Sequence, residues 1–278
     1  MWIKPATKKT TITVSNSIKI VGDLPTELEA GSIHCFVFRF VGQDQLLNYA
    51  YSYAPYVKPL TLTAKEANST VKIVAEGSPT TSGLKYRTDE NASWSSYTVD
   101  TTLTLANVND YVQFMNSEEA LSSSASDYVQ FVMTGEIEAS GSIQSMLNFI
   151  NVCKQRCYTS LFKLCTALTT APELPAMTLA NNCYSRMFEG CSALTSAPNL
   201  YASVGNVDTY CYYCMFKDCT ALTTAPIMLS STLANYCYGS MFFGCTALTT
   251  APTLPATTLA DYCYQSMFYG CSALTSAP

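Results

Sequence analysis

The chain has 278 residues, of which 48% are hydrophobic and 13% charged, whereas ordinary soluble domains carry about 25% charged residues. Its 15 basic and 20 acidic residues leave a net charge of −5 with no run of like charge, which disfavours a nucleic-acid partner. A single histidine, His34, and the lack of any stretch of about 18 apolar residues argue against a serine–histidine–aspartate enzyme and against membrane insertion.

Residues 1–59 contain β-like runs followed by a tyrosine-rich segment. The runs predict a small β unit with strands at 10–14, 17–21 and 33–41. We expect residues 1–59 to form an attachment region that pairs with another chain. The candidate attachment residues lie in this segment, which is expected to be extended, and are Tyr49, Tyr51, Tyr53 and Tyr56. Residues 1–20 contain no apolar run of seven residues, so they do not predict a secretory signal.

In residues 60–140 apolar residues alternate along short runs that are separated by Gly, Pro, Asn, Asp and Ser clusters. Strands are predicted at 60–63, 70–74, 84–87, 94–98, 102–105, 111–114 and 128–133. Seven short strands at this spacing predict a β-sandwich that resembles immunoglobulin-like modules, although the cysteine–tryptophan–cysteine framework of antibody domains is absent.

The segment 141–152 links this region to the rest of the chain. Ile143, Met146, Leu147 and Ile150 recur there at helical spacing. The segment therefore predicts a helix that caps the first repeat and covers its apolar end.

Residues 153–278 repeat a unit of about 26 residues five times. Every unit carries two cysteines eight residues apart. The two columns are Cys157, Cys183, Cys211, Cys237 and Cys263, and Cys165, Cys191, Cys219, Cys245 and Cys271. Such units must stack to bury a core, so the pattern predicts an α/β solenoid.

Each unit is expected to contain one helix and one strand. In the second unit Leu179, Cys183, Met187 and Phe188 lie at i, i+4, i+8 and i+9, which predicts a helix of about three turns. The following Ala-Leu-Thr-Ser-Ala segment ends at proline and predicts a short strand. The last unit ends after such a strand without a polar cap, so we expect further chain or a partner there.

The unit resembles the leucine-rich repeats of the bacterial BspA-like (Treponema-type) class, which gut bacteria and their phages carry. That class runs Leu-Pro, Leu, Ala-Phe, Cys, Leu. The matching residues are Leu174, Pro175, Leu179, Met187, Phe188, Cys191 and Leu194. The sequence departs from the class in its longer, 26-residue unit and in Met for Ala. The resemblance implies a leucine-rich-repeat fold and adhesion to host or matrix ligands, and it identifies no ligand.

The cysteine columns are interpreted as buried free thiols, with disulfides or a metal site as alternatives. Cys211 and Cys214 form a single Cys-x-x-Cys pair, with Cys219 nearby, and a zinc site would need more soft ligands. We therefore expect no cofactor.

The third linker, residues 200–210, contains a two-residue insertion, and insertions in repeat proteins often fall on the binding face. The alternative is that the insertion lengthens the linker without any effect on function. The candidate ligand-binding residues there are Tyr201, Asn206, Asp208 and Tyr210. Tyrosine in a neutral Thr-, Ser- and Asn-rich surface suits contact with sugars or protein.

Three functions are weighed. The first is a non-catalytic fibre or decoration of a phage virion, in which residues 1–59 dock to other virion proteins and the repeats bind a host-surface protein or glycan. The second is an exported bacterial BspA-like adhesin, which requires an export signal. The third is a glycan-cleaving enzyme, which is disfavoured because acidic residues occupy no repeated column. A homotrimer is expected by analogy with fibres alone.

Overall fold

The structure is a computed structural model, and it divides the chain into two compact units, residues 1–58 and 59–278. Of residues 1–56 it describes the strands alone, without side chains. The residues described are 2–3, 33–41, 46–54, 57–118, 121–122, 124, 126–150, 152–201 and 207–276. Within these ranges the chain is mainly β, with four sheets and a single short helix, so the predicted β-rich class is confirmed.

The first unit contains one antiparallel sheet of order β1-β2-β3. Its strands are β1 (Trp2–Ile3), β2 (Ile33–Val41) and β3 (Leu46–Ala54). Strand β2 coincides with the strand predicted at 33–41, because the segment is rich in β-branched and aromatic residues. The strands predicted at 10–14 and 17–21 lie outside the described residues.

The second unit begins with two sheets, and every predicted segment from 60 to 133 contains a strand. The strands are β4 (Leu60–Ala64), β5 (Ser69–Glu76), β6 (Leu84–Arg87), β7 (Ser95–Ser96), β8 (Leu103–Leu105), β9 (Tyr111–Asn116), β10 (Tyr128–Thr134) and β11 (Ile137–Ser140). One sheet has the order β10-β5-β8, and the other contains β11-β4-β9-β6-β7. The two sheets pack through buried aromatic rings, with Phe114 of β9 edge-on to Phe131 of β10 at 5.2 Å.

The link between the sheets and the repeats is the 3-10 helix η1 (Ile143–Leu147), where a capping helix was predicted. The Ser142 side chain caps its first turn by accepting the N–H of Gln144 at 3.2 Å. All five helical residues are buried. The hydroxyl of Tyr158, in the first repeat, donates to the Ile143 carbonyl at 3.1 Å, so η1 contacts the repeat region, residues 153–276.

The predicted helix of the repeats is wrong, because each described repeat has a run of tight turns in its place. Alternate N–H groups stay within a repeat: Cys157 donates to the carbonyl of Lys154, and Leu161 to that of Tyr158. The N–H groups between them reach the next repeat, as Tyr158 does to the carbonyl of Cys183 at 2.9 Å. Donors and acceptors of the buried backbone are thereby paired without a helix.

Every fourth residue of this turn segment has a left-handed backbone. In the second repeat these residues are Asn182 (φ 59°), Arg186 (φ 56°) and Gly190 (φ 76°). Left-handed backbone costs a non-glycine residue roughly 1–2 kcal/mol, so the segment depends on packing between repeats to hold it.

The side chains of consecutive repeats stack in columns. The rings of Phe162 and Phe188 lie 5.5 Å apart and almost parallel, and the same contact recurs down to Phe268. A second buried column contains Tyr158 and Tyr184, whose ring centroids are 5.4 Å apart. The core is therefore continuous along the repeats.

The phenylalanine column continues into the sheets. Phe131 of β10 stacks on Phe162 at 5.0 Å, and its N–H donates to the carbonyl of Leu161 at 2.7 Å. Strand β13 (Leu168–Thr170) of the first repeat pairs in parallel with β11, extending the larger sheet to six strands. The sheets thus cover the first repeat and share its core. A further parallel pair joins β12 (Val152–Cys153) to β14 (Thr178–Leu179).

No helix among the described residues is long and apolar enough to cross a membrane.

Candidate binding groove

A groove of about 460 Å³ lies along the turn segments of the first three repeats. Because the turn segments stack, side chains that are 26 to 28 residues apart in sequence become neighbours there. Tyr128, at the start of β10, completes one wall of the groove. The groove is large enough for one or two sugar rings or a comparable small molecule.

Three cationic side chains line the groove, Arg156, Lys163 and Arg186, and none of its described lining residues is acidic. The nearest carboxylate belongs to Glu189, which is buried with 8% of its surface exposed. Its oxygens lie 2.9 Å from Nη1 of Arg186, 3.9 Å from Nζ of Lys163 and 3.5 Å from Nζ of Lys217. One carboxylate shared by three cations leaves positive charge in excess at this face.

The cations differ in how firmly they are held. Arg186 bonds to Glu189 and also lies over the ring of Tyr213, with its guanidinium carbon 5.5 Å from the ring centroid. The side chain of Arg156 makes no hydrogen bond or ion pair with the described residues. Arg186 is therefore oriented in advance, whereas Arg156 is free to contact a ligand.

A column of partly exposed tyrosines ends at the groove. Tyr210 stacks on Tyr236 at 4.8 Å, and Tyr236 stacks on Tyr262 at 4.7 Å. In the first two repeats the same column is occupied by Arg156 and Asn182. Among the described contacts one face of the Tyr210 ring is stacked, on Tyr236, and no ring is stacked on the other face.

The ring of Tyr213 lies beside this stack and almost perpendicular to the Tyr210 ring, with the two centroids 5.3 Å apart. Burial raises the pKa of Tyr213, so its hydroxyl stays protonated at neutral pH and can donate a hydrogen bond. Thr159, Ser160 and Ser185 supply further neutral hydroxyls along the groove.

The residues predicted from the third linker are not brought together. Tyr210 lines the groove. Tyr201 is 45% exposed and is not one of the groove's lining residues. Asp208 begins the turn segment, where Oδ1 accepts the N–H of Thr209 at 2.7 Å. Asn206 lies outside the described residues.

Of the predicted attachment residues, Tyr49, Tyr51 and Tyr53 belong to β3, where alternate positions share one face of the strand. The side chains of β3 are not described, and Tyr56 lies outside the described residues.

Sequence reasoning missed Arg156, Lys163 and Arg186. All five basic residues of the repeat region belong to the first three repeats, and this uneven distribution, visible in the sequence, indicates which repeats carry the groove. They are Lys154, Arg156, Lys163, Arg186 and Lys217.

The cysteines of the repeat region are buried free thiols. Burial raises the pKa of Cys237 and of Cys245 to about 12, so both are uncharged at neutral pH. Within the described part of the chain, no three side chains of the metal-ligating types are grouped so that they could hold a metal ion.

No family model, no curated protein and no solved structure matches the chain. Function is therefore inferred from the groove and from the repeats themselves.

Proposed function

We propose that the chain is a non-catalytic structural and binding protein whose repeats hold a host-surface ligand. The groove carries this proposal, because it combines cations, neutral hydroxyls and the open face of Tyr210 in a site of ligand size. Its nearest carboxylate, Glu189, is occupied by cations, so a pair of free carboxylates for glycan cleavage has no source among the described lining residues.

The repeats are proposed to be a solenoid of BspA-like leucine-rich repeats. Support comes from hydrogen bonds that join each turn segment to the next and from ring columns that keep one spacing through five repeats. The turn segments then replace the helix of an α/β unit. The sheets before them are proposed to be an immunoglobulin-like spacer.

The place of action is proposed to be the surface of a phage virion, as a fibre or decoration. Residues 1–59 would dock to other virion proteins, and this role is supported by β3, a nine-residue strand at the edge of its described sheet. A strand edge with free backbone groups is a common site of pairing between chains. A homotrimer would present three repeat regions together.

The alternative is an exported bacterial adhesin of the BspA-like kind. The repeats and the groove suit both proteins equally, and the two differ in where the mature chain resides.

Mass spectrometry of purified phage particles and of washed bacterial envelopes tests the proposal. Recovery from particles, at a copy number that is a multiple of a capsid or tail symmetry, is the expected result. Recovery from envelopes alone, with peptides that precede Met1, would overturn the virion proposal and favour the adhesin.

A further inference from the structure

The groove is where the regularity of the repeats breaks. In the fourth and fifth repeats the column that contains Lys163 and Lys217 continues with Phe243 and Tyr269, whose rings stack at 4.9 Å. Stacked rings therefore suffice to build this face of a repeat. In the first three repeats this column contains Lys163, Glu189 and Lys217, and both lysines pair with the glutamate between them. Arg156 is different, because it replaces a ring in the column of Tyr210, Tyr236 and Tyr262 and has no ion partner among the described residues. Packing therefore does not explain Arg156.

The balance of charge around the groove favours an anion. Arg156, Lys163 and Arg186 line the groove, and no described lining residue is acidic. The carboxylate of Glu189 is shared by Lys163, Arg186 and Lys217, and Lys217 also pairs with Asp218 at 3.8 Å. The chain as a whole has a net charge of −5, so this local excess is opposite to its overall charge. Guanidinium groups bind a carboxylate through two parallel hydrogen bonds.

The rest of the lining favours a sugar. Thr159 donates its hydroxyl hydrogen to the carbonyl of Asn182 at 2.7 Å, so the lone pairs of its oxygen are left to accept from a ligand hydroxyl. Ser160 and the Asn182 amide add neutral hydrogen-bonding groups. The uncovered face of Tyr210 offers a flat apolar surface beside them, as the C–H face of a sugar ring requires.

We propose that this groove binds an acidic sugar, of the hexuronic acid class, through its carboxylate. Arg156 and Arg186 hold the carboxylate, the hydroxyls of the first two repeats bind those of the sugar, and Tyr210 packs on its ring. The inference rests on the proposed binding function and narrows its ligand to a surface glycan that contains a uronic acid.

The test is calorimetric titration of the full chain with methyl β-glucuronide and with methyl β-glucoside. The two sugars differ only at C6, which is a carboxylate in the glucuronide and a hydroxymethyl group in the glucoside. We expect the glucuronide to bind about tenfold more tightly, the effect of one charged hydrogen-bonded pair. We also expect its affinity to fall as salt is raised.

Arg156→Gln tests the site itself, because the Arg156 side chain makes no bond with the described residues and its loss leaves the packing intact. We expect about tenfold weaker glucuronide binding for this variant. Lys85→Gln, in β6 and outside the groove, removes the same charge and is the matched control, with unchanged binding. Lys163→Gln serves as a second groove variant if Arg156→Gln folds poorly.

Equal binding of glucuronide and glucoside would overturn the inference, and so would undiminished binding by the folded groove variants. Inorganic phosphate that competes as well as the glucuronide would show a general anion site and would also overturn the sugar assignment. Binding of labelled chain to a panel of gut bacterial cells separates the two proposals. Equal cell binding by wild type and Arg156→Gln would overturn only the proposal that the groove is the binding site. Absence of cell binding by the wild-type chain would overturn the proposed binding function.

Discussion

The second cysteine of each repeat has a bonding role as well as a packing role. Its thiol donates to the carbonyl of the preceding phenylalanine in the column, which is Phe131 of β10 for the first repeat, and every such contact is 3.0 or 3.1 Å long. For Cys219 the acceptor is Phe188. Cysteine suits this position because it is a small apolar residue that still supplies a weak donor.

Replacement of Cys219 by serine tests whether this position needs a weak, largely apolar donor rather than a hydroxyl. Cys219→Ser keeps a donor but buries a more polar group among apolar side chains, so we expect a loss of about 1–2 kcal/mol in the free energy of unfolding. Cys214→Ser, in the same repeat, is the control, because its column contains serine in three of the five repeats. Urea denaturation measures both variants, and equal losses would contradict a specific need for the thiol at Cys219.

Stability at alkaline pH is a second prediction at this scale. Burial raises the pKa of Cys237 and Cys245 from 9.0 to about 12, so the folded state keeps a proton that the unfolded chain releases. The free energy of unfolding should be unaffected below about pH 9 and should then fall by up to about 1.4 kcal/mol per pH unit for each thiol. Urea denaturation of the reduced protein between pH 7 and 10.5 measures this, and constant stability over that interval would refute it.

At the scale of the element, threonine hydroxyls supply hydrogen bonds between repeats whose strand segments pair over only one or two residues. The strand segments of the repeats are short, and several pair through isolated bridges such as Ser196 with Thr224. Thr223 Oγ1 donates to the carbonyl of Thr195 at 3.1 Å, beside the backbone bond from its own N–H. The hydroxyl thus adds a second bond between two repeats that share little sheet structure.

We expect Thr223→Val to lower the free energy of unfolding by about 1 kcal/mol, since it removes one hydrogen bond and keeps the branched shape. Thr224→Val is the matched control, because the exposed Thr224 side chain makes no bond with the described residues. Thermal or urea denaturation compares the two variants. An equal effect of both would show that the Thr223 hydroxyl contributes nothing.

Strands were predictable and the turn segments were not. The segment 84–87 coincides with β6, because its alternation of apolar and charged residues follows from strand geometry, and the segment 33–41 coincides with β2, because it is rich in β-branched and aromatic residues. In the repeats the left-handed residues recur every four positions, so buried residues also recur at i, i+4 and i+8 and imitate a helix. Gly190, Gly244 and Gly270 share a left-handed column, which was the available signal.

The groove was predictable in part. The insertion before Tyr210 predicts a role for that residue, whereas Arg156 and Arg186 lie in different repeats and come together only when the turn segments stack. The two arginines are 30 residues apart, which differs from the repeat period of about 26, so an alignment of the repeats places them in different columns. The confinement of basic residues to the first three repeats points to the region and does not reveal the cavity.

At the scale of the whole molecule, the sheets and the repeats of the second unit form one body. Phe131 of β10 begins the phenylalanine column, and β11 carries the sheet into the first repeat. The backbone hydrogen bonds between turn segments run in one direction, from the N–H groups of one turn segment to the carbonyls of the next. The groove depends on this stacking, because its walls come from three repeats and from β10.

Amide hydrogen exchange, followed residue by residue by NMR, tests the stacking most directly. Tyr238 and Phe242 donate their N–H groups to Cys263 and Met267 of the next repeat, at 3.0 Å in both cases. Their equivalents in the fifth repeat, Tyr264 and Phe268, have no acceptor among the described residues. We predict slow exchange for Tyr238 and Phe242 and fast exchange for Tyr264 and Phe268. Equal protection of all four, as a helix in each repeat would give, would contradict the stacked turns and the groove built on them.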